Sequence, residues 1–165
     1  MIESVHFQSP IGPLSILAMK QGVVRIFSKN ESIQKMEKWC RKHLGMGIVE
    51  DTAFTTEAKN QILNYLSGKR KSLYFPIVHL NTPFSRRVLD AERNIPYGQT
   101  RSYGEVAKMV GRPKAIRAVG SANANNPLPL YYPCHRIINA NGTLGGFGWG
   151  VDVKQYLLDL EAKSL

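Results

Sequence analysis

The sequence predicts an α/β protein of the α+β kind in two domains. A small N-terminal mixed α/β domain with a short antiparallel sheet is expected over residues 1–80, and a mainly helical C-terminal domain with a helix-turn-helix over 81–165. Three observations predict this. Short alternating apolar runs crowd the first 30 residues, apolar residues from Phe84 onward recur at helical spacing, and a basic, proline-bounded stretch, Lys69–Pro83, separates the two regimes.

In the first domain, Ser4–Phe7, Leu14–Met19 and Val23–Phe27 read as strands. The last two are joined by Lys20-Gln21-Gly22, where glycine suits the positive φ of a tight hairpin. Ser32 is a fitting N-cap for a helix to about Leu44, with Ile33, Met36, Trp39 and Cys40 on one face. Thr56-Glu57 opens a second helix, apolar at Ile62, Leu63, Tyr65 and Leu66 and ended by Ser67-Gly68. Lys69–Pro83 is the expected linker.

After Pro83, the stripe Phe84, Val88, Leu89 predicts a helix that stops near Pro96-Tyr97-Gly98. Ser102 then caps Tyr103–Val110, Gly111-Arg112-Pro113 interrupts, and Lys114–Ala122 resumes as helix, a helix-turn-helix pattern. Its second helix is built of small residues, Ala115, Ala118, Gly120, Ser121 and Ala122, with Arg117 among them. Small residues permit close approach to another surface or tight helix packing. A guanidinium among them argues against simple burial, because an unpaired buried charge is costly. Leu130-Tyr131-Tyr132 is expected to be extended, leading into Pro133-Cys134-His135-Arg136. Asn139-Ala140-Asn141-Gly142 reads as a hairpin turn. A glycine-rich loop, Gly145–Gly150, and a helix over Val153–Glu161 complete the chain.

Composition narrows the function. The 165 residues hold 22 Lys+Arg against 12 Asp+Glu, a formal charge of +10. Each half carries 11 basic and 6 acidic residues, so the asymmetry is local. Gln99–Arg136 has six basic residues and one acid, while Ala118–His135 within it has no charged Lys, Arg, Asp or Glu. A neutral stretch beside a cationic one suits either a pocket next to a polyanion groove or a buried strand after a solvated helix. No apolar run reaches the roughly 18 residues of a membrane-spanning helix. The opening Met-Ile-Glu-Ser-Val-His lacks a secretory pattern, so a cytoplasmic location is expected. Two cysteines 94 positions apart make no disulfide framework, and Cys40 with His43 is too small a ligand set for a metal. No metal or cofactor is expected.

Cys134 beside His135 and Arg136 is the chemically conspicuous group. Nearby cationic character is expected to lower the thiol pKa and raise the thiolate fraction. Adjacent strand residues face opposite ways, so Cys134 and His135 meet directly only if the backbone turns there, or through a bridging water. A buried, inert cysteine is the other reading of the pair.

Pro133-Cys134-His135-Arg136, preceded by Asn126-Pro127 and followed by a glycine loop and a Lys-x-x-Leu-Leu-x-x-Glu helix, resembles the 6-O-alkylguanine-DNA alkyltransferases. The likeness runs from about Phe84 to Glu161 and includes Arg117-Ala118-Val119-Gly120. It implies direct repair of double-stranded DNA containing alkylated guanine, by a monomer without cofactor that takes the alkyl group on Cys134. By motif position, His135 is the water-mediated base and Glu161 orients it. Tyr103 donates toward the departing guanine, and Asn126 holds the turn before the cysteine. Arg117 fills the gap left by a flipped nucleotide, with further DNA contacts from Ala118, Ser121, Ser102, Lys114, Arg112 and Arg136. Tyr132, Phe147, Gly148 and Trp149 form the substrate pocket. Gly148 and Trp149 stand where many members carry a serine or small residue and a glycine. A lesion-binding protein with an inert cysteine and a cysteine hydrolase are the alternatives that stoichiometric methyl transfer would exclude.

Overall fold

The computed structural model describes residues 1–28, 31–50 and 53–164, apart from the side chain of Glu50. The chain divides into two compact units, Met1–His79 and Leu80–Leu165. The class is mixed α/β, with a sheet in the first unit and helices dominating the second.

The first unit is built on β1 (Ile2–Phe7), β2 (Leu14–Met19), β3 (Gly22–Ser28) and β4 (Ile48–Glu50), in spatial order β3-β2-β1-β4. The first three pair antiparallel, and β4 joins β1 in parallel. Strand β4 is too short for a readable alternation and was not expected from the sequence. Gly22 opens β3 at φ +147°, and a Cβ there would stand 2.6 Å from the Pro76 backbone, so the site admits only glycine without rearrangement. Helix α1 (Ile33–Leu44) is capped by the Ser32 hydroxyl, which accepts from the Lys35 amide. Met36 and Cys40 of α1 join Ile2, Leu17 and Phe27 in one core cluster, whereas Ile33 is 59% exposed at the helix start. Helix α2 (Thr56–Leu66) buries Ile62, Tyr65 and Leu66.

The expected linker proves to be largely structured. Leu73 and Phe75 are buried. The Gln61 side chain accepts from the Tyr74 amide and donates to its carbonyl, both at 2.8 Å. Ile77 bridges Val23 of β3. Buried apolar side chains thus strap most of this segment to the first unit, and the division falls between His79 and Leu80.

In the second unit, Thr82 caps α3 (Pro83–Arg93). Ser102 caps α4 (Tyr103–Met109) in a reciprocal box with Glu105, whose carboxylate accepts from the Ser102 amide. Helix α5 spans Ile116–Ala124, two residues later at each end than expected. After Pro113, Ala115 closes a turn on the Arg112 carbonyl before helical bonding begins, and no side chain caps the start. Val88, Val106, Ala107, Val119, Ala122 and Ile137 pack as the core that fixes α3, α4 and α5 together. Two short strands, β5 (Arg101–Ser102) and β6 (Ile137–Ile138), pair in parallel and tie the entrance of α4 to the chain just beyond Cys134. Helix α6 (Val151–Lys163) ends the unit. Among the described residues, no helix is long and apolar enough to cross a membrane.

Candidate active site

The chain does not pass Cys134 as a strand. Leu130 adopts φ +76°, a left-handed conformation that costs a branched residue on the order of 1 kcal/mol. Tyr132 donates its amide to the Leu128 carbonyl, and Cys134–Arg136 form one 3₁₀ turn closed by the Arg136 amide on Pro133. Prolines at 127, 129 and 133 deny this stretch the regular donors that a strand ladder needs. Asn126 holds the fold-back. Its Oδ1 accepts from the Leu128 amide at 2.9 Å, and its Nδ2 donates to the Tyr132 carbonyl at 3.0 Å.

Within that turn, Cys134, His135 and Arg136 are all buried. Nε2 of His135 is hydrogen-bonded to Oε2 of Glu161 from α6. The same carboxylate accepts from Arg136 Nε at 2.8 Å, from Arg136 Nη2 at 3.2 Å and from the Gly98 amide at 2.9 Å. Burial alone would push the Glu161 carboxyl up, but these donors and the adjoining charge hold it at about 2. Burial also pushes the imidazolium of His135 down, against the pull of Glu161. The pair therefore rests as a carboxylate beside a neutral imidazole that donates from Nε2, so that Nδ1 is the ring nitrogen bearing the lone pair.

The thiol does not behave as the neighbouring sequence suggests. Burial first, and then the charge of Glu92, push Cys134 up to about 12, against smaller downward pulls from Asn126 and Lys154. Neighbours in the chain count for less here than the loss of water. Cys134 is a protonated thiol at neutral pH in the free protein.

Arg136 is corrected from a DNA contact to an internal group. It is 6% exposed, its Nη1 donates to the Ile95 carbonyl at 2.7 Å, and its remaining donors go to Glu161. By contrast Arg112, Lys114, Arg117, Ala118 and Ser121 are exposed. Arg117, Ala118 and Ser121 share one face of α5, opposite buried Val119 and Ala122. The Ser102 hydroxyl is engaged in capping α4. Tyr103, half-buried at the start of α4, hydrogen-bonds the side chain of Asn123, and its phenol is pushed up by burial.

The four expected pocket residues differ in environment. Tyr132 is buried against Tyr131 with ring centroids 5.1 Å apart, and Trp149 is 4% exposed. Phe147 is half-buried and meets Trp149 edge-on at 6.4 Å, while Gly148 is exposed. The glycine loop is held rather than loose. Lys154, fully buried on α6, sends its ammonium to the carbonyls of Ile137, Leu144 and Gly146. Lys154 is the lysine of the Lys-x-x-Leu-Leu-x-x-Glu pattern, but sequence reasoning assigned it no role, because its partners are backbone oxygens that side-chain spacing does not reveal. Arg93 was likewise missed. It donates to the Tyr131 carbonyl at 2.8 Å and stacks on that ring at 3.8 Å.

Fold and site together define a class, a two-unit α/β protein in which a helix-turn-helix shares a unit with an embedded cysteine, histidine and glutamate. Residues 4–78 match the ribonuclease-like domain of 6-O-methylguanine DNA methyltransferase, and residues 83–163 match its DNA binding domain. The chain belongs to the methylated-DNA–protein-cysteine methyltransferase family. The member from Methanosarcina acetivorans is 41% identical over 157 residues, 94% of this chain and 95% of its own. The inducible member from Bacillus subtilis is 39% identical, covering 90% and 84%. A crystal structure of Mycobacterium tuberculosis OGT in complex with DNA aligns with a TM-score of 0.86 at 34% identity, over 98% of this chain and 94% of that one.

Proposed function

We propose that this protein repairs 6-O-alkylguanine in double-stranded DNA by one irreversible transfer of the alkyl group to Sγ of Cys134. The observation that carries the reading is Cys134 in a turn with His135, whose ring is anchored on Glu161, in the same unit as an exposed small-residue helix face bearing Arg117. Family membership supports alkyl transfer from DNA to a protein cysteine as the activity, and the relative solved with DNA supports DNA as the partner.

The chemistry follows from the protonation states. A thiol raised to about 12 is a poor nucleophile, so its proton must leave as the attack proceeds. Neutral His135 accepts it through a bridging water, and the Glu161 carboxylate stabilises the imidazolium that forms. The sulfur–carbon bond forms as the bond between that carbon and guanine oxygen-6 breaks. Negative charge developing on guanine takes a proton from the Tyr103 hydroxyl, which a raised phenol retains at neutral pH. The imidazolium then gives up its proton to solvent and the phenolate of Tyr103 takes one back, so that, net, the alkyl group replaces the thiol hydrogen and one proton ends on guanine. The alkylated base lies inside the stack, and extruding it costs a few kcal/mol. Arg117 entering the vacated space offsets part of that, and Ala118 and Ser121 let the helix approach the minor groove closely. Arg112 and Lys114 contribute affinity through phosphate without reading sequence.

Incubation with a duplex carrying one 6-O-methylguanine, followed by peptide mass analysis, tests this. The peptide containing Cys134 gains one methyl group, and reaction stops at one equivalent per protein. Multiple turnovers would indicate hydrolysis, and binding without modification would indicate a lesion sensor; either sinks the proposal.

A further inference from the structure

On α5 a branched aliphatic side chain stands at the surface without a part in the transfer chemistry above. Ile116 is 49% exposed, between Lys114 and Arg117 in the chain. A single exposed isoleucine is ordinary. Its surroundings set this one apart.

Ile116, Gly120 and Asn123 follow one another at i, i+4 and i+7, so they form a row along one edge of α5. At the far end of the row, the Asn123 side chain reaches the Cys134 carbonyl at 3.5 Å. In the middle, a Cβ on Gly120 would meet nothing within 4 Å, so the row is open there. At the near end, Ile116 Cδ1 leans across to α4 and lies 3.8 Å from where a Cβ of Gly104 would stand. Ile116 therefore adjoins Arg117 along the chain and the Tyr103-Gly104 start of α4 in space. In the reading above, Arg117 enters the gap in the stack and Tyr103 meets the extruded guanine. A side chain that adjoins both stands where the nucleotide leaves the stack.

Opening the stack exposes the apolar faces of the bases beside the gap, and an aliphatic wedge can cover what a guanidinium leaves bare. A β-branched residue suits that task, because in a helix it holds one χ1 rotamer and loses little freedom on contact. We propose that Ile116 is a second, apolar wedge that works beside Arg117 to hold the duplex open around the extruded nucleotide. This rests on the reading of α5 as the helix that meets the duplex at the damaged base.

The test compares single-turnover methyl transfer, at limiting protein, from 6-O-methylguanine in a duplex, in the same strand unpaired, and as the free base. Only the duplex has a paired stack to be held open. Ile116→Ala slows transfer from the duplex about tenfold, from the single strand by no more than about twofold, and from the free base not at all. Ile116→Leu, which keeps the apolar bulk, recovers most of the duplex rate. Met109→Ala removes a side chain 46% exposed at the end of α4, away from Tyr103, and alters none of the three rates. Equal slowing on duplex and single strand would make Ile116 a general contact, and slowing with the free base would mean that the substitution disturbs the cysteine site. Either result overturns the proposal, as does a wild-type duplex rate for Ile116→Ala or the same duplex-only loss in Met109→Ala. Absence of methyl transfer by the unaltered protein from all three substrates would instead sink the alkyltransferase reading itself.

Discussion

Glu161 meets four described donor contacts, and its protonation makes folding depend on pH in a direction that can be worked out. Its folded value of about 2 lies below the ordinary 4.5. The stabilisation is therefore fully present above about pH 4.5 and is lost as pH falls from there through about 2. That shift corresponds to about 3 kcal/mol. His135 acts in the same sense at higher pH, because an imidazole whose pKa is lowered by burial favours the unfolded chain as pH falls below the ordinary 6.5. Urea unfolding across this acid range should show a steep fall for the wild-type protein. Glu161→Gln, less stable at neutral pH because Arg136 keeps its charge without a counter-ion, should show a flatter curve below pH 4.5. Parallel curves would mean that the carboxylate is not held down by the fold.

At the level of elements, the 3₁₀ turn bearing Cys134 is fastened from several directions. Arg93 of α3 holds Tyr131, Asn126 spans the preceding fold-back, and α6 supplies Glu161 beneath and Lys154 alongside. Lys154 joins α6 to the end of β6 and to the glycine loop with one ammonium. Replacing it with methionine preserves length but leaves three backbone carbonyls short of a donor. Thermal or urea unfolding of Lys154→Met should show a loss of about 3 kcal/mol. Limited proteolysis should show new cleavage confined to Leu144–Gly150. An unchanged loop would mean that its own turns suffice to hold it.

For the whole molecule, the +10 charge takes on a sharper distribution once burial is known. Of the six basic residues in Gln99–Arg136, Arg136 is spent internally, while Lys108, Arg112, Lys114 and Arg117 are exposed and Arg101 is half-exposed. About four phosphate contacts from this set give a log–log salt dependence of DNA affinity with a slope of about −3 to −4, alike for unrelated duplexes. Fluorescence anisotropy over a salt series measures it. A flat response would leave the charge without a DNA role.

Much of this protein was legible in order along the chain. Ser32, Ser102 and the Gly22 turn mark their elements because caps and tight turns depend on residues only a few positions apart, and α2 starts at Thr56 as expected although no side chain caps it. The Pro-Cys-His-Arg run likewise picked out the segment that carries the candidate site. What the sequence could not decide was the sign of the thiol's shift, the internal use of Arg136, or the backbone partners of Lys154. Strands β4, β5 and β6 also escaped it, being two or three residues long with partners distant in sequence. Local order is set by short-range hydrogen bonding and apolar spacing, which a linear pattern records. Protonation and pairing are set by which groups share a water-free interior, and only the tertiary structure brings Glu161, Lys154 and Glu92 around Cys134.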